Sequence, residues 1–161
     1  MPPLIQSGMP LLPELLNAPT AWKTADTSRS STTTLAADPD LAVPVIANAT
    51  YVLSAYIAHT YDAACDFKFS WSGPAGATMT NWQADWRTTD GNEISGSFAT
   101  LGSVVPVTSG SGTLSQPLWA HGLLIIGGTA GTLAFTWAQN TSNAAAATVR
   151  AGSQLRLERV A

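Results

Sequence analysis

The chain has 161 residues and a formal net charge of -3 at pH 7, with only 11% of residues charged and 45% hydrophobic, which suits one domain of ordinary size. Seven scattered Lys and Arg against ten acids exclude a nucleic-acid partner, which needs clustered cations to neutralise phosphates, and disfavour an anionic membrane surface. One cysteine, Cys65, excludes an internal disulfide and any cysteine-rich metal site.

Met1 to Thr20 contains five prolines among Leu4, Ile5, Leu11, Leu12, Leu15 and Leu16, an apolar composition that cannot sustain a long helix. At most Pro13 to Asn17 forms one turn, with Pro13 at its start. Residues 1–24 are therefore expected to form an extended docking arm. Its Pro2, Leu4, Ile5, Leu11, Leu12, Leu15, Leu16 and Trp22 would lie in a partner's groove, where prolines lower the entropy cost of ordering. Met1 to Leu16 lacks the basic start of a secretory signal and is broken by prolines. The longest apolar run, Gly122 to Gly128, is too short to span a bilayer.

Residues 25–161 read as one β-domain. Ala25 to Thr34 is a polar run suited to a linker or an irregular edge strand. Asp38-Pro39-Asp40 is a turn signal, after which Leu41, Val43 and Val45 alternate up to a second turn at Asn48-Ala49-Thr50. Tyr51, Leu53, Ala55, Ile57 and His59 then share one parity of a long strand. Phe67, Phe69 and Trp71 mark the next strand, closed by the turn Ser72-Gly73-Pro74-Ala75-Gly76. In Thr78 to Thr88 the alternation sets Thr80, Trp82, Ala84 and Trp86 on one face and Met79, Asn81, Gln83 and Asp85 on the other.

After a turn at Asp90-Gly91-Asn92, Ile94 to Leu101 is a weaker strand whose Gly96 is consistent with a bulge. Gly102 to Gly112 reads as a loop. Leu118 to Ile126 is the most apolar strand and is expected at the centre of a sheet. Leu133, Phe135 and Trp137 alternate with Ala134, Thr136 and Ala138 as a half-buried strand, and Leu155 and Leu157 alternate with Arg156 and Glu158. About eight strands spaced by turns, with no convincing helix, predict an all-β fold, an antiparallel β-sandwich or jelly roll with an extended N-terminal arm.

Little in the sequence offers chemistry. His59 and His121 lack companion ligands at metal-binding spacing, so a structural or surface role is favoured for both. Asp38, Asp40, Asp62 and Asp66 could supply calcium oxygens, but acids around a proline more often cap a turn. Cys65 lacks a base or positive pole to activate it and reads as a small buried hydrophobe. Asp85 with Asp90 or Glu93 could be imagined as a glycan-hydrolysing pair, without any supporting motif. Exposed tryptophans on a sheet can hold a sugar ring, although aromatic strand residues more often pack a core or a subunit interface. No catalytic residue, metal or cofactor is expected.

Three passages carry a resemblance: Thr34 to Tyr51 (TLAADPDLAVPVIANATY), Asp66 to Thr78 (DFKFSWSGPAGAT) and Gly131 to Val160 (GTLAFTWAQNTSNAAAATVRAGSQLRLERV). In this order the chain resembles, from about residue 24 onward, a β-sandwich module of virion proteins from tailed phages that infect actinobacteria. Such modules occur in capsid-decorating, head-fibre and minor tail proteins. The resemblance implies a non-enzymatic structural role in a virion, as a homotrimer or other homo-oligomer. A short chain with an apolar arm favours a capsid decoration protein on the capsid surface, partnered by the major capsid protein. The alternative is a minor tail or tail-fibre protein contacting host surface glycans.

Overall fold

The computed structural model describes residues 18–87, 92–98, 100–108 and 112–161. Among them are twelve strands and no helix: β1 (Thr20–Trp22), β2 (Thr27–Arg29), β3 (Ala36–Val45), β4 (Thr50–Tyr61), β5 (Phe67–Ser72), β6 (Thr78–Arg87), β7 (Glu93–Phe98), β8 (Val105–Val107), β9 (Gly112–Ile125), β10 (Gly131–Ala138), β11 (Ala147–Val149) and β12 (Gln154–Arg159). The larger sheet runs β1-β12-β4-β9-β6-β7, with β11 pairing both β4 and β2; the smaller runs β3-β10-β5-β8. All pairings are antiparallel, and the two sheets pack as a β-sandwich. The expected class is thus observed. Eight strands are six residues or longer; the other four, β1, β2, β8 and β11, have three residues each, too few for a periodic pattern to register.

Between the sheets lies an aromatic layer. Phe67 and Phe69 of β5 and Phe135 and Trp137 of β10 face inward from the smaller sheet, and rings meet across the gap, with Phe69 edge-on to Trp82 of β6 at 6.2 Å and Phe67 stacked on His59 of β4 at 4.7 Å. Trp71 meets Phe135 edge-on at 5.2 Å. Such offset and edge-on pairs add about 0.5–1.5 kcal/mol each beyond area burial. The inward parity of β4 (Tyr51, Leu53, Ala55, Ile57, His59) is buried as expected, as are Leu41, Val43 and Val45 of β3 and Leu155 and Leu157 of β12.

Several local expectations are corrected. Asp38-Pro39-Asp40 lies inside β3 rather than in a turn between strands. Thr136 of β10 pairs Ala37 while Ala134 pairs Ala42, so Asp38 to Leu41 bulge opposite the single residue Phe135; a bulge is one place a strand tolerates proline. On β6 the register shifts between Thr80 and Gln83, with Asn81 at φ 52°. That residue reverses the parity: Met79 joins Trp82, Ala84 and Trp86 in the core, while Thr80 faces solvent. β7 pairs β6 without interruption through Gly96, so Gly96 is no bulge. Its missing side chain leaves room for Phe98, whose ring would lie 2.7 Å from a Cβ there and instead packs 4.5 Å from Trp82.

The expected loop after Gly102 contains β8, whose Val105 and Val107 are buried at the end of the smaller sheet beside β5. β10 is buried on both faces from Leu133 to Ala138 rather than on one. It is an inner strand between β3 and β5, and its outward Ala134 and Thr136 are small enough to be covered by their neighbours. The polar run before β3 supplies β2, an edge strand on β11, in keeping with an irregular edge.

Candidate functional site

The acids around Pro39 meet a cation from the chain itself. Lys23, directly after β1, is fully buried, and its ammonium donates to Asp38 Oδ1 at 2.9 Å, Asp40 Oδ2 at 2.9 Å and the Thr27 hydroxyl at 2.7 Å. All three N–H donors are thereby used. The second oxygen of Asp38 accepts from the Trp137 indole at 3.0 Å, and the Arg29 guanidinium lies 4.1 Å from the centre of that indole. Arg29 also donates to the carbonyls of Ala36, Ala37 and Trp137. Burial lowers its pKa, opposed by the nearby Asp38 charge. The cluster is an internal brace between β1, β3 and β10, in which both acids around Pro39 pair with Lys23. Asp62 instead holds the turn after β4, its carboxylate accepting from Ala64 N at 2.8 Å. No group of three or more His, Cys, Asp or Glu among the described residues is arranged to hold a metal.

Cys65 is buried, its thiol donating to the Asp62 carbonyl at 3.3 Å, as its sequence context implies. His59 lies in the core between Tyr61 and Phe67. Burial brings its pKa down to about 4, against hydrogen bonds to the Ile57 and Gln116 backbone that pull the other way; it is neutral at pH 7. Burial also raises the Tyr61 hydroxyl to about 12, with the Asp66 charge adding to the effect. Asp85 accepts from Gln83 at 3.0 Å and from Ser95, while Glu93 pairs with Arg87 on the surface. Asp90 lies outside the described residues.

Of the arm residues expected to bind a partner, Pro2, Leu4, Ile5, Leu11, Leu12, Leu15 and Leu16 lie outside the described residues. Trp22 is described: it sits in β1, opposite Gln154 of β12, and is 57% exposed. Among the tryptophans, Trp71, Trp82, Trp86 and Trp137 are buried, and only Trp22 and Trp119 (37% exposed) reach solvent.

Both exposed tryptophans stand on the outer face of the larger sheet, in one row across six strands. Trp22 of β1 faces Gln154 of β12, then come Tyr56 of β4, Trp119 of β9, Asp85 of β6 and Ser95 of β7. At the usual spacing between strands the row extends about 24 Å. The adjacent row reads Thr20, Arg156, Ser54, His121, Gln83 and Ser97. Next to it, Val52 and Leu123 and then Ile125 form an exposed aliphatic end. A depression of about 360 Å³ is lined by Tyr56, Trp119, His121, Gln154, Arg156 and Ser54. A second of about 330 Å³ lies on the other side of Trp119, toward Asp85 and Ser95, and a third of about 420 Å³ adjoins His121 toward Leu123 and Thr80.

Sequence reasoning put β9 at the sheet centre, and there it is, between β4 and β6. Its outward parity remains open to solvent. The signal for this surface was Trp119, Leu123 and Ile125 on the parity opposite Leu118, Ala120 and Leu124; the expectation of a central strand did not separate the two parities.

No protein-family model and no curated protein matches the sequence. Among solved structures, the chain is similar to part of the infectious bursal disease virus Gt strain structure at 11% identity, covering 89% of this chain and 42% of that one, with a TM-score of 0.25. It is similar to the infectious bursal disease virus VP2 subviral particle at 13% identity, again over 89% and 42%, with a TM-score of 0.23. The chain spans less than half of the length of those chains.

Proposed function

We propose that the chain is a virion structural protein of a tailed phage: a capsid decoration protein whose N-terminal arm binds the outside of the capsid lattice and stabilises it. The observation that carries this reading is where the three phage-like passages fall. Thr34 to Tyr51 contains β3, Gly131 to Val160 contains β10, and Asp66 to Thr78 contains β5, and these are successive neighbours β3-β10-β5 in the smaller sheet. Passages far apart in sequence thus belong to one packed unit, as a shared module requires. The proposed arm joins the sandwich at β1, an edge strand, beside the exposed Trp22.

In this reading the arm contacts the major capsid protein or a neighbouring copy, the protein assembles as a homotrimer, and repeated weak contacts stabilise the lattice by mass action and avidity. The test is a variant lacking residues 1–18, which retains β1 and Lys23. It should keep its unfolding midpoint and lose occupancy on purified particles; unchanged occupancy removes the arm from the mechanism. Cryo-electron microscopy of intact particles should find many symmetric copies on the head. A few copies at the tail would transfer the assignment to a minor tail protein.

A further inference from the structure

We propose that the outer face of the larger sheet is a carbohydrate-binding surface, with its primary subsite in the depression between Tyr56, Trp119 and Arg156. The proposal concerns what this face recognises and stands whether the protein sits on a head or a tail.

A sugar ring offers an apolar face of C–H groups rimmed by hydroxyls that both donate and accept. Its binding site therefore needs an exposed aromatic plane with hydrogen-bonding groups beside it. The outer face supplies both in alternation. Trp119 and Tyr56 are directly opposed on β9 and β4, with ring centres 5.9 Å apart and planes tilted by 55°, so the rings do not lie flush against each other. Gln154 and Arg156 flank them from β12, and His121 and Ser54 from the adjacent row.

These polar groups are uncommitted. Among the described residues, the side chains of Gln154, Arg156, His121 and Tyr56 make no hydrogen bond or ion pair within the chain, and the Trp119 indole N–H has no acceptor. Elsewhere on the surface comparable groups are taken: Arg87 by Glu93, Arg150 by Asp26, and Arg29 by three carbonyls. On the far side of Trp119, Gln83 donates to both Asp85 Oδ1 at 3.0 Å and Ser95 at 2.9 Å. That network fixes a carboxylate and a hydroxyl along the second depression. A chain of sugars could run along the row from the Arg156 side to the Ser95 side, with Trp119 at the midpoint. Trp22, two strands from Tyr56 on the other side, extends the platform.

The same chemistry argues against a protein partner at this end. The centre of a protein interface is depleted of charge, whereas here Asp85 stands in the row of the aromatic rings and Arg156 in the row beside it. The aliphatic end at Val52, Leu123 and Ile125 has the composition that a protein contact would prefer.

The full-length chain should be applied to an array of neutral oligosaccharides of glucose, galactose, mannose and N-acetylglucosamine, and any retained sugar titrated by tryptophan fluorescence. Trp119→Ala should weaken binding about ten-fold or more, as loss of an aromatic contact implies, and Gln154→Ala should weaken it less while leaving folding untouched. Trp82→Phe, in the core, should leave the affinity unchanged. Failure of the wild-type chain to bind any sugar on the array overturns the proposal, as does binding by Trp119→Ala that equals wild type. A change in oligomeric mass on Trp119→Ala overturns it in favour of an interface between copies.

Discussion

Trp82 and Trp119 stand on the neighbouring strands β6 and β9 and meet opposite fates. Trp82 is sealed between Phe69 and Phe98, its indole donating to the Thr100 carbonyl at 3.0 Å. Gly122 of β9 makes room for it, since a Cβ there would lie 2.6 Å from that of Trp82. Trp119, three residues earlier on the same strand as Gly122, points the other way and keeps its donor free. A residue type usually read as core is divided here by parity alone: one face of the sheet spends its aromatics on cohesion, the other holds them open.

The strongest way to break this comparison is to truncate each ring. Trp82→Ala should lower stability by about 3–5 kcal/mol, whereas Trp119→Ala should change it by about 0.5 kcal/mol or less. Denaturant unfolding of the two variants decides the matter, and equal losses would show that the outer face is packed after all. A parallel contrast separates buried from exposed charge. Lys23→Met keeps the side-chain stem but strands Asp38 without its cation, and should cost about 3–5 kcal/mol. Arg87→Ala, which removes the surface pair with Glu93, should cost about 0–1 kcal/mol.

A pH effect sharpens the core side. The pKa of His59 is about 4 in the folded chain and 6.5 in its ordinary setting, so as the pH falls the unfolded chain takes up the proton first. The stabilisation is complete above about pH 6.5 and is lost progressively down to about pH 4, a total of about 3 kcal/mol at 1.36 kcal/mol per unit. Unfolding free energies measured across that window should fall with acid, and His59→Leu should flatten the slope.

Much of the architecture was legible because alternation is local. The parities of β4, β5 and β12 and the Leu41-Val43-Val45 run could be taken directly from the sequence. The failures arose where a single residue or a distant partner decides. Asn81, in a left-handed conformation, reverses the face of β6, and no alternation pattern can announce that reversal. Asp38-Pro39-Asp40 has the composition of a turn because a bulge and a turn draw on the same residues; what keeps β3 continuous is its pairing with β10, about a hundred positions away. Nothing in the sequence around Lys23 marks it for burial, since the acids that pair with it come from β3. The outer aromatic row was invisible for the same reason: Trp22, Tyr56, Trp119 and Gln154 become neighbours only through register.

The Lys23 brace has a mechanical consequence. Tension applied to the chain before β1 first meets the bond from Leu157 N to the Pro19 carbonyl and the three residue pairs between β1 and β12. It then reaches Lys23, held by its backbone to Ser153 and Gly152 and by its ammonium to Asp38 in the opposite layer. A pull on the arm is therefore shared between both layers within five residues of entry, and the sandwich is loaded as one body instead of being peeled open from its edge.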